Sequence, residues 1–146
     1  LTSVTSQYAG QGVTFSNASA VDYSKGSAAI AGFAHSGTIA IEPCVGIEFC
    51  SSPLRANFSS PQFAAKVWVG CSSPLNQSIQ VQLRAYDGAG VLVGTASVTL
   101  AARATPTPIA MPLEVRRTSA IIRRIDVLVP GGFNNGLAID DVTFEH

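Results

Sequence analysis

A chain of 146 residues has the length of one domain, and at this size roughly two thirds of the unfolded surface goes into a single core. Hydrophobic residues make up 47% of it and charged residues 12%, with Ser, Thr, Asn and Gln supplying the polarity, a balance that excludes intrinsic disorder. Nine basic residues cancel nine acidic ones with no long run of like charge, and no apolar stretch approaches the roughly 18 residues of a membrane-spanning helix, so neither nucleic acid nor membrane insertion is expected.

From the first residues onward, short stretches of alternating apolar and polar side chains recur about every ten residues, punctuated by Gly, Ser, Pro and Asn. No window offers a helix. The strand-like start at Leu1 suggests a piece excised from a longer protein, with any export signal lying outside it. Strands are predicted at residues 13–15, 28–33, 38–41 and 55–58. Between the third and fourth lies Cys44, six positions before Cys50, a spacing workable for a small disulfide loop and unlike the CxxC pattern of zinc or redox sites. Buried free thiols, or a bond using Cys71, are the alternatives.

The next segments alternate most clearly. Phe63, Ala65, Val67 and Val69 alternate with Lys66 and Trp68; Ile79, Val81, Leu83 and Ala85 alternate with Gln80, Gln82, Arg84 and Tyr86. Asp87-Gly88-Ala89-Gly90 supplies turn chemistry, and Leu92, Ala96, Val98 and Leu100 carry the pattern back as the second arm of a hairpin. Residues 102–108, with Pro106 and Pro108, read as an extended connector between sheets. Further strands are predicted at 109–115, 121–129 and 137–144. The whole is read as one all-β domain over residues 1–146, a two-sheet antiparallel β-sandwich of the jelly-roll kind.

The carboxyl-terminal stretch Gly136-Leu137-Ala138-Ile139-Asp140-Asp141-Val142-Thr143-Phe144 resembles the closing strand of galactose-binding-like jelly rolls, the fold of many carbohydrate-binding modules. Ala56-Asn57-Phe58-Ser59-Ser60-Pro61, the hairpin crest Ala85-Tyr86-Asp87, and Ile125-Asp126-Val127 are similar to middle strands of bacterial exported domains of this kind. The resemblance implies a structural calcium held by an aspartate of the closing strand, here Asp140, with Asp141 contributing from the edge. Asp140 shares strand parity with Ala138, Val142 and Phe144, and an inward carboxylate is costly unless paired or bound to a cation. The plainer arrangement is an aspartate hydrogen-bonded to backbone amides.

Sugars are held by aromatic faces and by planar polar side chains. If the strands around Trp68 and Gln80 are neighbours, then Trp68, Lys66, Gln80, Gln82, Arg84 and Tyr86 form one ligand-binding platform. The competing arrangement has a loop covering Trp68 in a second small core. A loop edge with His35, Asp87, Asn134 and Asn135 is the other candidate site.

Catalysis is not expected. His35 and His146 are the only imidazoles, no GxSxG elbow or phosphate-cradling glycine loop occurs, and nothing marks a facing pair of carboxylates. The function expected is a non-catalytic glycan-binding module of a secreted or cell-surface protein, tethered to other domains. A structural or adhesive domain contacting protein partners is the second possibility.

Overall fold

The computed structural model describes residues 2–26, 29–43 and 50–146. In chain order the strands are β1 (Thr2–Ser3), β2 (Val13–Ser16), β3 (Ser19–Asp22), β4 (Ile39–Glu42), β5 (Leu54–Gln62), β6 (Ala64–Cys71), β7 (Ile79–Tyr86), β8 (Leu92–Leu100), β9 (Thr107–Arg116), β10 (Ile122–Leu128) and β11 (Leu137–Glu145). They form a six-stranded sheet, β1-β3-β4-β11-β6-β9, and a five-stranded sheet, β2-β5-β10-β7-β8. All pairings are antiparallel, which makes the chain an all-β sandwich compatible with a jelly roll.

Alternation explains the layers, because successive side chains leave opposite faces of a strand. Val67 and Val69 of β6 and Leu137 and Ile139 of β11 meet Val81, Leu83 and Ala85 of β7 and Ile125 and Val127 of β10 in the main core. Phe58 and Phe144 close one end, with ring centroids 5.0 Å apart. The β7–β8 hairpin turns as predicted: Asp87 Oδ1 accepts hydrogen bonds from the backbone of Ala89 and Val91, both at 2.9 Å, and Gly90 adopts φ 81°. The proline-bearing connector then carries the chain from one sheet to the other, into β9.

A second cluster lies on the outside of the six-stranded sheet. Val21, Tyr23, Phe33, Ala40, Ile109 and Ala138 are buried there, with Ile30 and Trp68 packed against them. Residues 29–38, between β3 and β4, fold over part of this face, pinned by a hydrogen bond from the Ile109 amide to the Phe33 carbonyl at 2.9 Å. Residues 29–33 are therefore not the strand that their apolar character predicted; Phe33 plugs a sheet face from a loop, and Ala28 lies outside the described residues. Tyr23, its ring tilted 48° against Phe33 with centroids 4.3 Å apart, donates its hydroxyl to Glu42, and burial together with that carboxylate pushes its phenol well above the usual range.

One expectation fails on topology. β6 and β7 follow each other in sequence but belong to different sheets, since residues 72–78 cross the sandwich instead of turning back as a hairpin. Trp68 and Lys66 thus face away from one side of the molecule, and the β7 polar row from the other.

Candidate functional site

Trp68 sits in a clasp built by the β3–β4 excursion. His35 stacks on its indole with centroids 3.9 Å apart, and Lys66 Nζ lies 4.8 Å from the ring centroid. His35 Nδ1 is 2.6 Å from Asp141 Oδ2, Ser36 Oγ donates to Asp141 Oδ1 at 2.7 Å, and the Ser36 amide donates to Asp140 Oδ2 at 2.9 Å. The Asp141 amide donates to Asp140 Oδ1 at 2.8 Å. These bonds hold the Asp141 carboxyl below the usual carboxylate range, through His35 first and Ser36 second.

Asp141 has φ 47° and marks a register shift in β11 between Asp140 and Thr143. That bulge breaks the parity on which an inward Asp140 was argued. Asp140 pairs with Trp68 on the outer face, while Val142 and Phe144, beyond the bulge, pack against the main core. Calcium needs about six to eight oxygen ligands. All four oxygens of this pair already have partners in the chain, and the described residues hold no group of three or more metal-ligating side chains. As arranged, the aspartates form a hydrogen-bonded clasp in which Asp140 accepts two backbone amides and Asp141 engages the His35 and Ser36 side chains.

The loop-edge candidates divide. Asn134 is buried, its Oδ1 accepting the Val129 amide at 2.7 Å and its Nδ2 donating to the Ser52 carbonyl at 2.9 Å, so it holds the β10–β11 loop in place. Asp87 is engaged in its turn, and Asn135 Oδ1 accepts the Cys50 amide at 2.9 Å. Cys71 is a free, buried thiol, and the expected partner of Cys50, Cys44, lies outside the described residues.

The outer face of the five-stranded sheet is different. Gln80, Gln82, Arg84 and Tyr86 stand in one row along β7, the side chains repeating at about 6.8 Å. Gln82 donates to Gln80 at 3.1 Å and accepts from Arg84 Nε at 3.0 Å. Antiparallel register extends the row sideways: Tyr86 faces Arg124, Arg84 faces Asp126, and across β10 these face Asn57 and Arg55. On the β8 side, Thr95, Ser97 and Thr99 face Arg84, Gln82 and Gln80.

Arg55 grips Asp126 through two parallel bonds of 2.8 Å, which raises the guanidinium pKa, and the Arg124 guanidinium lies 4.0 Å from the Tyr86 ring centroid. Beyond Gln80, the row opens into a groove of about 690 Å³ lined by Ser73, Leu75, Gln77, Val129, Phe133 and Asn135.

The structure therefore keeps Gln80, Gln82, Arg84 and Tyr86 together and separates them from Trp68 and Lys66. Sequence reasoning missed Arg55, Asn57, Arg124 and Asp126. Arg124 and Asp126 did carry a signal, being polar residues at alternate positions of a predicted strand whose neighbours Ile125 and Val127 are core. No protein-family model, curated protein or solved structure matches the chain.

Proposed function

We propose that this domain is a non-catalytic module that binds a glycan on the outer face of its five-stranded sheet. One observation carries the reading. The chain covers part of the outside of the six-stranded sheet, around Trp68, with its own loop, whereas the outside of the other is uncovered and presents amides, hydroxyls, guanidiniums and a tyrosine in register, with Gln80, Thr95, Ser97 and Thr99 exposed. Planar donors and acceptors at a regular repeat suit the hydroxyl pattern of an extended sugar chain.

A binding role is favoured over hydrolysis because Asp126 is the only carboxylate on the strands of this sheet and Arg55 occupies both its oxygens. The lysine-poor, Ser- and Thr-rich composition supports a place outside the cell or on its surface.

Affinity electrophoresis in gels containing soluble polysaccharides, neutral and charged, tests the reading. Retardation by at least one polymer is expected, reduced by Gln82→Ala and Tyr86→Ala but not by Trp68→Phe. No retardation by any polymer, or retardation indifferent to both platform substitutions, would overturn it.

A further inference from the structure

The chain has no net charge, yet its two sheets are oppositely charged. The six-stranded sheet bears Asp22, Glu42, Glu114, Asp140, Asp141 and Glu145 against Lys66 and Arg116; the five-stranded sheet bears Arg55, Arg84, Arg123 and Arg124 against Asp126. We propose that the ligand of the five-stranded sheet is an acidic polysaccharide, bearing carboxylate or sulfate groups that dock on Arg84 and Arg124. This rests on the glycan-binding reading above and narrows it.

Register places Arg84, Asp126 and Arg55 in one row across the sheet, with Arg124 one step diagonal to Arg84, about 7 to 8 Å away between strands. Three guanidiniums thus surround one carboxylate. Arg55 takes both of its oxygens, leaving Arg124 Nε at 3.6 Å from Oδ1, outside hydrogen-bond range. Among the described residues that buried Nε has no hydrogen-bond partner, and Arg84 Nε donates to a neutral amide.

Local positive charge is therefore left unmatched within a patch whose members are fixed in place. Arg55 is held by Asp126, Arg124 by the Tyr86 ring, and Arg84 by Gln82. A guanidinium fork matches the paired oxygens of a carboxylate or sulfate and gains most when already ordered. Because Arg124 occupies one face of Tyr86, recognition by charge prevails over stacking of a sugar on that face. A nucleic-acid strand fits less well, since it asks for several stacking rings in a basic channel, and this face offers one tyrosine on a molecule without net charge.

The test compares polygalacturonate with its methyl ester, dextran sulfate with dextran, and a single-stranded oligonucleotide, by titration calorimetry on the full chain. Binding to at least one charged polymer is expected to be at least about tenfold tighter than to its neutral counterpart, and to weaken as salt rises from about 0.05 to 0.5 M. The two charged arms tell carboxylate from sulfate. Arg84→Gln and Arg124→Gln should each cost about tenfold with melting temperature retained, whereas Arg117→Gln, outside the patch, should cost nothing. Equal binding of charged and neutral polymers, abolished by Gln82→Ala, would overturn this inference and leave the glycan reading standing. Binding of no polymer would overturn both, and oligonucleotide binding as tight as that of the acidic polymers would replace the polysaccharide with a phosphate polymer.

Discussion

His35 lies flat against Trp68, its ring 15° from parallel and its centroid 3.9 Å away, so the only tryptophan of the chain is capped by the only histidine outside the carboxyl terminus. That stack makes Trp68 part of the second core. Trp68→Ala is expected to cost about 2–4 kcal/mol of stability by opening a cavity under the β3–β4 excursion. Urea melts check the cost, and polysaccharide affinity at a temperature where the variant remains folded should be unchanged.

Acid should loosen the same clasp. A carboxyl depressed in the folded state stabilises at pH values above its unfolded pKa, near 3.9, and that contribution is lost as pH falls through the folded value. Asp141→Asn keeps a residue type that tolerates the left-handed φ while removing the charge. Its melting temperature should therefore depend less steeply on pH below about 4 than that of the parent. Superimposable slopes would show that the Asp141 bonds contribute nothing.

Chelation should do little. With the oxygens of Asp140 and Asp141 already engaged, EDTA is expected to leave the melting temperature unchanged and added calcium to raise it by less than about 2 °C. A larger rise would mean that the ion displaces Ser36 and His35 from the carboxylates.

Gly70 is fixed by what crosses it. A Cβ there would lie 2.6 Å from the Thr107 carbonyl oxygen and 2.7 Å from the Ile109 amide nitrogen, both backbone atoms of the entering β9. Gly70→Ala should destabilise by about 3 kcal/mol, because strand backbone yields less readily than a flexible side chain. A melting temperature within about 2 °C of the parent would contradict the close approach.

Burial pushes the Cys71 thiol pKa up, so in the native protein it should resist thiol reagents. If Cys44 and Cys50 are joined, as their spacing suggests, denaturation without reductant should release one reactive thiol of the three cysteines. Three reactive thiols would show that the bond does not form.

Strand positions were largely legible in the sequence, because alternation marks a half-buried strand wherever it runs unbroken, as in β6, β7 and β10. β3 escaped since Ser19–Asp22 contains a single buried residue, Val21, too little pattern to notice. Sheet membership was not legible. Which partner a strand takes depends on contacts distant in sequence, so the Trp68 and Tyr86 rows looked like one surface when they lie on opposite ones. The bulge at Asp141 hid the orientation of Asp140 for a related reason: one extra residue inverts every parity argument beyond it.

The loop folded over the six-stranded sheet has a geometric corollary. With part of its back roofed by its own polypeptide and that sheet acidic, the sandwich offers an acidic polymer one favoured direction of approach. Stringing copies together would therefore add grip along a single surface and would not staple two fibres back to back.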